Sequence, residues 1–211
     1  MEYRLKSHPF HTFQQTRHIM HTKIELQAEM RTFLEGYAES IERVYGGQVA
    51  KVLAEQVDGS PLWSSIMKMF DYGVQGEPVE GLGGDDMMEA EFQDAQFFLL
   101  GLDSLADFLD EDAVALPQLA MRTVRICCAR HQLDGGVRST NSGNELSDGY
   151  LTFAEVAMLA DMDEKSVRNA AYADDASRLV TEKHGKQVRV SLEEARKWLV
   201  GRKGFIPSKS T

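Results

Sequence analysis

Few residues in this chain have the types and spacing that usually do chemistry. His8-x-x-His11 and His18-x-x-His21 are two pairs at a spacing that suits metal ligation, since imidazoles brought together by a folded-back segment converge on one ion. Pro9 interrupts the first pair, and no cysteine or carboxylate is interleaved with either, so no metal site and no cofactor are expected. Cys127 and Cys128 are sequence neighbours in a helical stretch, poorly arranged for a bond with each other, and read as small buried apolar thiols. The chain has no phosphate loop, Gly-x-Ser-x-Gly elbow, His-Glu-x-x-His pair, calcium-binding loop or Cys-x-x-Cys. Gly81-Leu82-Gly83-Gly84 misses the dinucleotide spacing and follows no strand. No catalytic residue is assigned, and an enzyme is the class least expected.

Charge locates the rest of the chemistry. The 211 residues carry a formal net charge of −10, which taken alone argues against a phosphate-binding protein. The excess is confined to one stretch. Residues 71–120 hold 13 acidic and no basic side chains, whereas residues 150–211 hold 11 basic and 9 acidic. The acidic stretch reads as a solvated face, its first carboxylates (Asp85, Asp86, Glu89, Glu91 and Asp94) placed well for a helix N-terminus. A sharper alternative is an acidic surface that repels nucleic acid or covers the basic face of the C-terminal part.

The elements that must position these groups follow from periodicity. Residues 1–133 show apolar side chains at helical spacing and little β-branched alternation, which predicts an all-helical domain. Helices are expected from about Thr22 to Val44, through Val57, from Ser60-Pro61 to about Tyr72, from about Asp86 to Asp110, and from Pro117 to about Leu133, with a loop from Gly73 to Asp86. Residues 134–149 are dominated by Gly, Ser, Asn and Asp and read as a flexible linker. No run is long and apolar enough for a membrane span, and Met1-Glu2-Tyr3-Arg4-Leu5-Lys6 leads into no apolar leader, so the cytoplasm is the expected compartment and no membrane partner is expected.

Residues 150–211 carry the most information. Thr152 and Glu155 stand in capping-box register, so a short helix begins after Thr152; Asp163 then caps a second helix from Glu164 to about Ala173. Two short helices joined by a tight turn make a helix-turn-helix. With Phe153 as the first position, small Ala157 falls at the fifth, where the helices approach. Val156, Ala160, Met162, Val167 and Ala170 fall at the fourth, eighth, tenth, fifteenth and eighteenth. Asp161 holds the ninth, where a positive φ is needed and Gly is usual. Arg178 to Lys183 and Lys186 to Val190 are β-rich runs around His184-Gly185, a two-residue hairpin turn. Ser191 to Glu194 is a second capping box, opening a helix through Ala195, Trp198 and Leu199.

The order helix, turn, helix, hairpin, helix resembles the winged helix-turn-helix domains of the MerR and excisionase-like superfamily. Gly185 to Leu199 is similar to the passage those domains use between wing and last helix. The resemblance covers about Tyr150 to Phe205 and implies a mainly α protein: an all-helical N-terminal dimerisation or sensor domain, a linker, and a C-terminal winged domain with a small β-hairpin. It implies binding of double-stranded DNA, with helix 164–173 in the major groove and the wing on the backbone or minor groove. Lys165, Ser166, Arg168, Asn169 and Tyr172 are then the outward residues able to read bases. Thr181, Lys183, Lys186 and Arg189 of the wing contact phosphates, with Arg202 and Lys203 extending the footprint. One small reading head spans few base pairs, so a homodimer through the N-terminal domain is expected, acting as a transcriptional regulator. Two other classes share these features: a DNA-architecture factor of the excisionase or phage-packaging type, and a protein-interaction module that does not bind DNA.

Overall fold

Helix α1, Lys23–Tyr45, starts where Thr22 and Glu25 cap each other: the Glu25 amide donates to Thr22 Oγ1 at 3.2 Å, and the Thr22 amide donates to Glu25 Oε2 at 2.7 Å. In a computed structural model that describes residues 20–83, 88–105, 115–137, 149–174, 178–185 and 187–209, this helix buries Leu26, Met30 and Phe33 along one stripe. His8, His11 and His18, Asp85 and Asp86, and most of the expected linker lie outside the described residues. Gly46, at a positive φ of 85°, ends α1 and admits a second short helix, α2, Gly47–Glu55, which buries only Ala50. Ser60 caps α3, Pro61–Gly73, with Pro61 at its first position as expected.

Helix α4, Ala90–Leu105, begins later than the sequence predicts. Met88 and Glu89 are not helical; the Glu89 amide instead closes the preceding loop by donating to the Gly81 carbonyl at 3.2 Å. Of the described acidic residues expected at its start, Glu89, Glu91 and Asp94, only Glu91 sits in the first turn. Helix α5, Gln118–Leu133, is the centre of the molecule. Twelve of its residues are buried, from Ala120 to Leu133, and it packs against α1, α3 and α4. Its first amides are satisfied from α1: the Glu29 carboxylate accepts from Leu119 and Ala120, both at 2.9 Å. Burial raises the Glu29 carboxyl above its ordinary range, and these amides pull it back part of the way. Helix α3 lies so close to α5 that a Cβ on Gly73 would stand 2.8 Å from the Cys127 Cα. Cys127 and Cys128 are buried and form no disulfide, and burial pushes the Cys127 thiol well up.

The C-terminal part holds three helices and a small sheet: α6 (Phe153–Leu159), α7 (Glu164–Ala171), α8 (Leu192–Val200), and strands β1 (Tyr150–Leu151), β2 (Glu182–His184) and β3 (Gln187–Ser191). The sheet is antiparallel in the order β1-β3-β2, with Leu151 opposite Val190 and Lys183 opposite Val188. Strand β1 was not foreseen from sequence, being only two residues long. The hairpin differs by one position from expectation. His184 pairs with Gln187, and Gly185 between them takes a positive φ of 58°. Arg178 to Thr181 is not strand; the Leu179 amide donates instead to the Ala170 carbonyl, and the Leu179 side chain is buried.

One apolar core runs through both parts. Helix α5 packs against α6 and α8 as well as against the N-terminal helices, and Arg196 Nε donates to the Leu133 carbonyl at 2.7 Å. Residues 201–209 return across this junction. The Arg130 guanidinium, buried in α5, donates to the Gly73 carbonyl at 2.8 Å and to Ser208 Oγ at 3.0 Å, and lies over the Phe205 ring. Ser208 in turn donates to Asp134 at 2.6 Å, and the Lys209 amide donates to the Gly76 carbonyl at 2.8 Å. Asp134, expected as the first linker residue, is thereby anchored, and it also accepts from the Tyr72 hydroxyl at 2.7 Å. Tyr72 is pushed above its ordinary value, by burial first and by Asp134 second.

Candidate nucleic-acid interface

The capping groups set the two short helices at a defined angle. Thr152 and Glu155 form the predicted box, with the Glu155 amide 3.1 Å from Thr152 Oγ1 and the Thr152 amide 2.7 Å from Glu155 Oε2. Asp163 caps α7 by accepting from the Ser166 amide at 2.8 Å. Between them the Met162 amide donates to the Ala157 carbonyl at 2.9 Å, and Asp161 takes a φ of 49°, the only positive φ outside glycine among the described residues. The Asp161 carboxylate is held from two other parts of the chain, by the Met20 amide at 3.2 Å and by Arg122 at 3.4 Å. Val156, Ala157, Ala160 and Val167 are buried, and Met162 and Ala170 pack against the core, each at its predicted position.

Helix α7 turns Val167 and Ala171 inward and leaves Lys165, Arg168, Asn169 and Tyr172 exposed, with Tyr172 at 72%. These four stand at i, i+3, i+4 and i+7 and share one face. Ser166 departs from the sequence reading. It is half-buried, and its hydroxyl donates to Asp163 Oδ2 at 2.6 Å, so it completes the cap rather than offering a reading group. Arg168 pairs with Glu164 one turn earlier and lies 5.9 Å from the Phe153 ring centre.

On the hairpin, Lys183 is exposed and Thr181 half-buried. Arg189 is half-buried and donates to Gln187, while Lys186 lies outside the described residues. Glu182 faces Arg189 across the strands, but its carboxylate accepts from the Tyr150 hydroxyl at 2.9 Å, which holds that phenol above its ordinary value. Arg202 stacks 3.9 Å from the buried Trp198 ring and Lys203 is exposed.

An open groove between α7 and β3 brings together Arg168, Tyr172 and Arg189 from the expected set, with Phe153, Gln187 and Val188 on its walls. Sequence reasoning missed those last three. No sequence signal marked Val188: it stands two residues from buried Val190, so period-two alternation places it on the inward face, and its exposure at the groove departs from that pattern. Lys165, Asn169, Thr181 and Lys183 do not line this groove. Among the described residues no group of three or more His, Cys, Asp or Glu side chains is arranged to hold a metal, and no helix is long and apolar enough to cross a membrane. Comparison of the chain with protein-family models, with curated proteins and with solved structures gives no match.

Proposed function

We propose that residues 150–205 form a winged helix-turn-helix, and that the chain is a sequence-specific duplex DNA-binding protein acting as a transcriptional regulator. The observation that carries this reading is the single exposed face of Lys165, Arg168, Asn169 and Tyr172 on a short capped helix, beside a hairpin bearing Lys183 and Arg189. Arg matches guanine and Asn matches adenine with paired hydrogen bonds, while the lysines serve phosphates. To read bases, Arg168 exchanges Glu164 for the DNA edge, so the pair holds the guanidinium ready on the outer face. Pairing of two copies falls to the N-terminal helices. There α2 exposes Val49, Val52 and Leu53 at i, i+3 and i+4, a self-complementary apolar strip for a two-fold contact.

The test is selection from a random duplex library with the full-length chain across a salt series. A defined, palindromic site whose affinity falls with salt is the expected result. Asn169→Ala then relaxes preference at one base position at a cost of about 1–3 kcal/mol, whereas Lys183→Ala weakens all sequences alike. No enrichment at any salt concentration overturns the proposal and turns the search to protein partners.

A further inference from the structure

Glu164 stands outside the residues expected from sequence to read bases, yet it opens α7, is exposed, and lines the groove beside Arg168, Tyr172 and Arg189. Two ordinary roles account for it in the free protein. An acidic group suits the first turn of a helix, and its pair with Arg168 four residues on joins two exposed side chains. Neither role survives the approach of DNA unchanged, because the N-terminal residues of a recognition helix lie nearest the base edges. When Arg168 leaves for the acceptors of a guanine, the Glu164 carboxylate loses its cation while the duplex strips its water. The second guanidinium of the groove, on Arg189, donates to Gln187, and Lys165 does not line the groove. A carboxylate so placed is repelled by phosphates and by the N7, O6 and O4 acceptors of the major groove, and its partner there is an amino hydrogen. Cytosine N4 supplies one next to the O6 and N7 acceptors of the paired guanine, which suit Arg168. Adenine N6 supplies one beside the N7 acceptor of its own ring, a pattern that suits an amide better than a carboxylate.

We propose that Glu164 is a specificity-determining residue of this interface: its carboxylate accepts a hydrogen bond from a cytosine N4 amino group as Arg168 turns to guanine, and it disfavours every duplex that brings no such donor. This role rests on the DNA reading above and names one base of the site.

Selection from the random duplex library with the full-length chain and with its Glu164→Gln variant, which keeps the shape and removes the charge, tests this. The wild-type sites are expected to hold an invariant cytosine that Glu164→Gln no longer demands. On the selected site, exchanging that C·G pair for T·A weakens the wild-type chain about tenfold or more and Glu164→Gln less than about threefold. Circular dichroism confirms that the variant, altered at an exposed side chain, is folded. A preference left unchanged by Glu164→Gln, with affinity raised for all sequences alike, shows that the carboxylate only neutralises Arg168 and overturns the proposal, as does a preference relaxed at a base other than cytosine. The wild-type arm separates the two failures: no site selected by the wild-type chain overturns the DNA reading and this role with it, whereas a wild-type site indifferent to Glu164→Gln overturns this role alone.

Discussion

Asp161 combines two roles that a single residue type rarely satisfies together. Its φ of 49° favours glycine, yet its carboxylate accepts from the Met20 amide and pairs with Arg122. Asp161→Ala loses both contacts and keeps the backbone strain, for an expected cost of about 2 kcal/mol in urea unfolding. Asp161→Gly loses the same contacts but relieves the strain, and is expected to recover about 1 kcal/mol of that loss. Equal stabilities of the two variants would show that the backbone contributes nothing. Nearby, His21 is buried beside Phe70, with Nε2 2.8 Å from Thr123 Oγ1. Burial first, and the Arg122 charge second, hold it below its ordinary 6.5, with Glu25 and Asp161 opposing. Above 6.5 the ring is neutral folded and unfolded alike. Below it the unfolded chain takes up a proton that the folded ring still refuses, so stability falls as pH falls through that window. The urea midpoint is therefore expected to be lower at about pH 5.5 than at about pH 7.5, and His21→Gln to reduce that difference.

At the scale of elements, caps were the most legible feature. Ser60, Thr152, Asp163 and Ser191 each accept from the expected backbone amide, because a cap is a local contact between residues three apart, and Thr22, read only as the start of a helix, does the same. The Ser191 box is only half formed: Ser191 accepts from the Glu194 amide at 3.4 Å, and no reciprocal bond from Glu194 is made to the cap. Thr152→Ala is accordingly expected to lower stability by about 1 kcal/mol, and Ser191→Ala by less, both read by thermal unfolding. What escaped the sequence was set by distant partners. The start of α4 is fixed by a bond from Glu89 back to Gly81, and β1 exists because Tyr150 and Leu151 find β3 forty residues on. In the candidate interface, outward positions on α7 were readable from the inward ones. The withdrawal of Ser166 into the cap was not, since a serine at that position suits either role.

At the scale of the whole molecule, α5 and the returning segment tie the two compositional parts together. Composition divides the chain at residues 134–149, but composition does not register that α5 packs against helices of both parts or that residues 201–209 cross back to Gly76 and Asp134. Every residue of α5 from Ile126 to Leu133 is buried, Arg130 and His131 included, while Gln118 and Arg125 stay exposed, so neighbouring helices surround its C-terminal half and leave one polar face to solvent nearer its start. The two tryptophans fall on opposite sides of the compositional divide, Trp63 in α3 and Trp198 in α8. In each variant that keeps only one of them, with phenylalanine at the other position, the urea midpoint read by tryptophan fluorescence is expected to coincide with that read by far-ultraviolet circular dichroism, as a single cooperative unit requires. Midpoints separated by more than the error of the measurement would show two units unfolding independently.

The shared core also makes the covalent connection dispensable in principle. If α5 buries its surface on α6 and α8, and Arg130, Asp134 and Gly76 grip the returning segment, the interface survives when the chain is supplied in two pieces. Residues 1–142 and 143–211 expressed together as separate polypeptides are expected to co-purify as a one-to-one complex, a split protein reassembled by its own interior.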